Sequence, residues 1–192
     1  GKGTLRAFNV GDGSLIWKQR LKSEDQDMVY SGAIASNLES IFVALGSGEL
    51  ICLRVLDGKE VWRTSTKNPL RGGPTVSGGR VFVVTIDNKT LSFDAKTGKL
   101  LWSHAGTTET AALIGGASPA VKDNVVIVTY SSGELFALKT ETGRLFWADH
   151  LGPNNSSNGV SNIADINGSP VIDRSLVCLL YTSPSPRDVE ES

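Results

Sequence analysis

The chain has 192 residues, 40% of them apolar, with 19 basic and 20 acidic side chains and a formal net charge of −1. That balance, with no run of like charge, excludes a nucleic-acid binder that works by neutralising phosphates. The longest apolar stretches, such as 125–128, fall far short of the roughly 18 residues of a spanning helix, and Cys52 and Cys178 are too few and too far apart for a disulfide framework or a local metal pair.

In chain order, the first feature is a motif that returns. Trp17, Trp62, Trp102 and Trp147 are spaced by 45, 40 and 45 residues, and each lies four residues after a glycine: Gly13, Gly58, Gly98 and Gly143. The residue before each glycine is a turn former (Asp12, Asp57, Thr97, Thr142). Six positions before it the side chain is small (Ala7, Cys52, Ser92, Ala137), and five before it is large and apolar (Phe8, Leu53, Phe93, Leu138). Eight before stand Leu5, Leu50, Thr90 and Leu135, so only Thr90 departs from its column. Pro74 and Pro119 precede their Trp by 28 residues, and Pro170 opens a further copy.

The chain therefore reads as half a unit ending at Trp17, then three whole units from about Ser31 to Thr64, Gly72 to His104 and Gly116 to His150, then a partial one. Within a unit the elements are short. Arg80–Ile86 and Asn124–Tyr130 are dense in β-branched and aromatic residues between turn formers and predict strands. Leu135–Lys139 and Arg144–Ala148 predict a hairpin around Thr140–Gly143, where glycine takes the positive φ of a turn with a bulge. A short strand after each proline completes four. Four antiparallel strands repeated at about 43 residues predict an all-β fold, a β-propeller of four-stranded antiparallel blades, present as an open fragment of three whole blades plus two partial ones. Residues 1–177 form the partial propeller. The tail 178–192, with Pro184 and Pro186, breaks the pattern and is expected to be non-native or disordered. Gly1 follows no Met or apolar leader, so an excerpt is expected.

The repeated Trp are expected to seal the gaps between blades and to serve structure, not chemistry. His104 and His150 follow their Trp at the end of the outer strand, where rim positions are expected instead of a triad. Asp165–Ser169 faintly imitates a calcium loop, but Leu176 stands where a bidentate Glu is needed. No metal or cofactor is expected. The two longest unpatterned connections, Ala105–Ala117 and Leu151–Ser169, join successive blades and should emerge side by side on one face, where function is expected.

The stretch 135–147 (LFALKTETGRLFW) resembles the pyrroloquinoline-quinone-type propeller repeat; the residues after Trp, which are Lys18, Arg63, Ser103 and Ala148, do not resemble the WD40 class. Two further strings, 112–121 (ALIGGASPAV) and 163–173 (IADINGSPVID), resemble the BamB family of outer-membrane assembly lipoproteins. The resemblance implies an eight-bladed ring and a non-catalytic scaffold, lipid-anchored at the periplasmic face of the outer membrane. That scaffold binds a POTRA domain of the barrel subunit BamA. The anchor would lie upstream of this chain. The family's partner contacts map onto Leu113 and Ile114 in one loop and Asp165 and Asn167 in the next. The family often carries a basic residue at the position of Ile114 and an acidic one at that of Asn167, so an apolar contact is favoured here. The alternatives are a fragment of a pyrroloquinoline-quinone-dependent dehydrogenase, which shares the blade repeat, and a generic propeller interaction module. Against the first, no two Cys are adjacent here.

Overall fold

In the computed structural model of the chain the described residues are 3–21, 32–107, 116–151 and 168–180, and among them lie sixteen strands. β1 (Gly3–Phe8) and β2 (Leu15–Leu21) form a hairpin. Three meanders of four strands follow: β3 (Ala33–Ser36), β4 (Ser40–Leu45), β5 (Glu49–Arg54) and β6 (Glu60–Ser65); β7 (Thr75–Ser77), β8 (Arg80–Val84), β9 (Lys89–Asp94) and β10 (Leu100–Ala105); β11 (Ala120–Lys122), β12 (Val125–Thr129), β13 (Glu134–Lys139) and β14 (Leu145–His150). β15 (Val171–Asp173) and β16 (Leu176–Cys178) close the series as a second two-stranded sheet. All pairings are antiparallel, and the five sheets stay separate, as expected for an open arc of three whole blades and two halves. Residues 181–192, most of the expected tail, lie outside the described residues.

β8 ends at Val84, two residues short of the expected strand. Thr85 bridges to Leu70 and donates its N–H to the Lys89 carbonyl across a tight turn in which Asn88 takes a left-handed φ of 55°. Strands buried on both faces explain the unbroken apolar runs of the sequence. In β4, Phe42 and Ala44 pack toward Val81, Val83 and Leu91 of the next blade, while Val43 and Leu45 pack back toward Leu5 and Leu21. The same two-sided layering joins Phe82 and Val84 to Val126, Val128 and Tyr130, and Ile127 and Leu135 to Ile172 and Val177. The core is therefore a stack of layers between blades, each made by nearest neighbours alone.

The small-residue column has a specific place in that stack. Cys52 lies opposite Phe42 on one side and Trp62 on the other, and Ser92 lies opposite Phe82 and Trp102. Directly opposed residues share a face, so a small central side chain lets the flanking rings meet over it, with centroids 5.9 Å apart for Phe42 and Trp62 and 5.8 Å for Phe82 and Trp102. A register shift in each outer hairpin, between Ala7 and Phe8, Cys52 and Leu53, Leu100 and Trp102, and Ala137 and Leu138, aims the indole outward at the next blade.

Candidate functional site

The repeated indoles form interlocking seats. Trp17, Trp62 and Trp102 donate their ring N–H to the carbonyls of Val55, Ala95 and Thr140 in the following blade, at 2.8, 3.0 and 2.8 Å. Each ring lies flat on that blade's glycine. A Cβ placed on Gly58, Gly98 or Gly143 would stand 2.6, 2.6 or 2.5 Å from the indole, and all three have φ near 68°. Two members of the series differ. Trp147 is 36% exposed whereas Trp102 is 9% exposed, and space around Gly13 is open.

Each meander puts the β4–β5, β8–β9 and β12–β13 turns at the same end as the inter-blade connections, so those connections leave from one face. Gly106 N–H bonds to Asn88 O and Leu151 N–H to Gly133 O, both at 2.9 Å, which fixes equivalent departure points in successive blades. The first departure is clamped. Thr107 donates its N–H and hydroxyl to the two oxygens of Glu134 at 2.8 and 2.9 Å, and its carbonyl accepts from the Asn88 side-chain amide at 2.7 Å. Asn88, fully buried, uses its amide oxygen to accept from the N–H and hydroxyl of Ser131. Burial alone would raise Glu134. Hydrogen bonds from Ser132 and Thr107, with the charge of His150, outweigh it and hold the carboxyl below its ordinary value.

The return ends are stitched to one another. Gly73 N–H bonds to the Ser118 hydroxyl at 3.0 Å, and Ser118 N–H bonds to the Ser169 hydroxyl at 3.1 Å. The residue before the proline in each unit thus holds the same residue in the next. Arg71, buried, packs its side chain against Gly116, where a Cβ would collide with it. His104 stands edge-on to Phe136 with centroids 5.0 Å apart. Its pKa is lowered, chiefly by burial and against the opposing pull of Glu134, and among the described residues its Nε2 has no hydrogen-bond partner. Among the described residues no group of three or more His, Cys, Asp or Glu is placed to hold a metal ion. On the opposite face an open groove of about 630 Å³ runs between Leu38, Arg54, Val55, Leu56, Val61 and Lys96.

Leu113, Ile114, Asp165 and Asn167 all lie outside the described residues. The described bases on either side of them, Thr107 and Gly116 for the first loop and Leu151 and Gly168 for the second, are on the shared face. Sequence reasoning missed Glu134 and Asn88 as the clamp. A signal existed: Ser-Gly-Glu recurs as Ser47-Gly48-Glu49 and Ser132-Gly133-Glu134, and Glu49 likewise accepts from Ser47 and from Arg63.

A family model described as outer membrane protein assembly factor BamB matches residues 1–184. The chain belongs to the BamB family. Among curated proteins, it is 30% identical over 147 residues to an uncharacterized protein of Rickettsia conorii, covering 76% of this chain and 36% of that one. To the BamB of Yersinia pestis it is 24% identical over 177 residues, covering 89% of this chain and 45% of that one. The chain thus spans less than half the length of these relatives. A quinohemoprotein alcohol dehydrogenase of Pseudomonas putida is also similar, 30% identical over 171 residues but covering only 24% of its length. In three dimensions the chain matches BamB of Moraxella catarrhalis with a TM-score of 0.77 at 22% identity, over 88% of this chain and 50% of that one. The propeller fold, expected from the repeat, and BamB-family membership, expected from the resemblance of 112–121 and 163–173, are therefore established.

Proposed function

We propose that this chain is part of a non-catalytic interaction scaffold of the outer-membrane β-barrel assembly machinery. In its parent protein it works at the periplasmic face of the outer membrane behind a lipid anchor, and it binds the POTRA region of BamA. Contact runs through the two inter-blade connections carrying Leu113 and Ile114, and Asp165 and Asn167. Family membership supports the assembly role. The observation that carries the choice of face is the clamp on Thr107: Asn88 and Glu134 hold the root of the first connection against the next blade, beside the root of the second. Binding loops on a rigid scaffold are the usual way a propeller presents a partner surface.

The test is capture of an isolated POTRA domain by the full-length protein. Leu113→Glu combined with Asp165→Arg should weaken capture by about tenfold or more, as expected for hot-spot residues. Unchanged capture overturns the assignment of these loops. Saturable binding of pyrroloquinoline quinone in the presence of calcium would instead establish the dehydrogenase reading.

A further inference from the structure

One long side chain holds the return of the first connection. Three residues before Pro74, Pro119 and Pro170 stand Arg71, Gly116 and Asn167, the same place in three successive units. Arg71 is only 4% exposed, and its Cγ, Cδ and Nε crowd the place that a Cβ on Gly116 would take. We propose that Arg71 is a positioning residue for the partner surface, fixing the direction in which the chain that carries Leu113 and Ile114 re-enters the fold at Gly116. This role rests on the assignment of that connection as a partner contact.

The contact is the outermost step of a zipper between two whole units. Gly72 lies so close to the next unit that a Cβ on it would stand 2.5 Å from the Ala117 carbonyl oxygen. Gly73 donates its N–H to the Ser118 hydroxyl at 3.0 Å, and Thr75 donates its hydroxyl to the Pro119 carbonyl at 2.6 Å. Backbone and short polar side chains thus make the inner steps, and Arg71 makes the one that reaches Gly116. Arg71 is itself anchored, because its N–H bonds to the carbonyl of Val84 at 2.8 Å, and Val84 packs in the buried layer between the β7–β10 and β11–β14 blades. Gly116 needs such a cover. A residue without a side chain loses the most freedom on ordering, and Gly115 precedes it, so nothing in the local sequence dictates one direction of entry. The departure of the same connection is fixed separately, by the clamp on Thr107. Arg71 is too buried to touch a partner, so its effect on binding passes through Gly116. A segment held in place beforehand binds more tightly than one ordered on binding.

The experiment combines capture of an isolated POTRA domain with hydrogen exchange, both on the full-length protein. Arg71→Ala should weaken capture about fivefold, the cost of ordering one or two residues on binding. It should also speed exchange at the Ala117 and Ser118 amides, while Thr107 and the amides of β8 and β12 keep their rates. Arg71→Lys, which retains the Cγ and Cδ that lie against Gly116, should recover most of both. Gly116→Ala presses on the same contact from the other side and should weaken capture too, but by less when Arg71→Ala has opened the space. Capture and Ala117 exchange that ignore Arg71→Ala overturn the proposal. So do an equal loss of protection in β8 and β12, which would mean general destabilisation, an Arg71→Lys protein that behaves as Arg71→Ala, or additive effects of Arg71→Ala and Gly116→Ala. Capture that ignores Leu113→Glu with Asp165→Arg overturns the assignment of the loops, and with it the part of Arg71 in binding, even where Ala117 exchange follows Arg71. Capture that responds to that pair and ignores Arg71→Ala overturns the role of Arg71 alone.

Discussion

The hydroxyl groups of Thr90 and Tyr130 lie 2.7 Å apart, both buried, across the junction between the β7–β10 and β11–β14 blades. Thr90 is the one residue that departs from its repeat column, where Leu5, Leu50 and Leu135 stand, and at the first junction Leu5 instead packs in the same cluster as Leu45, the counterpart of Tyr130. An apolar pair has been replaced by a hydrogen-bonded pair, so the irregularity belongs to two positions at once. Burial pushes the Tyr130 phenol well above its ordinary pKa, only partly opposed by the Thr90 hydrogen bond.

Thr90→Val should cost about 1–3 kcal/mol, because it strands a buried phenol without its partner. Tyr130→Phe should cost similarly, and Thr90→Val with Tyr130→Phe should cost clearly less than the sum of the two. Urea unfolding of the four proteins in a double-mutant cycle measures the coupling. Additive costs would show that the bond contributes nothing.

The four indoles share one motif but not one environment. Trp102→Ala should cost about 3–5 kcal/mol, as for other large buried rings, since its ring is seated on Gly143 and bonded to Thr140. Trp147→Ala should cost about 1 kcal/mol, because a partly exposed ring loses less burial. Equal unfolding midpoints for the two variants would contradict this.

Stability should fall with acid in two successive windows. His104 has a depressed folded pKa, so the unfolded chain takes up a proton first, and stability declines as pH drops below the ordinary 6.5 of histidine. Glu134 also has a depressed folded pKa; its contribution is present above the ordinary 4.5 and is lost as pH falls through the lower folded value. Urea midpoints between pH 8 and 3 should show both declines. Glu134→Gln should flatten the lower one and speed hydrogen exchange at the Thr107 amide, which that carboxylate accepts.

Much of this architecture was legible because its determinants are local and repeat. The Gly-x-x-x-Trp spacing and the small residue opposite the indole recur at every Trp, and the proline before the first strand recurs at Pro74, Pro119 and Pro170, so self-comparison reads them directly. Of the clamp only the recurring Ser-Gly-Glu was legible; its grip on Thr107 was not, because Asn88 and Glu134 reach that residue across 19 and 27 positions. Thr90 was visible as a departure, but its partner forty residues away was not.

The residue order alone determined the blade: strand lengths, turn positions, the bulged outer hairpin and the family all follow from patterns within a single unit of about 43 residues. Only the tertiary structure decided what each copy of the pattern does. Trp102 and Trp147 follow the same glycine spacing, yet one is sealed and the other is partly open. Burial in a stack of blades is a property of the neighbour, and the neighbour lies outside the motif.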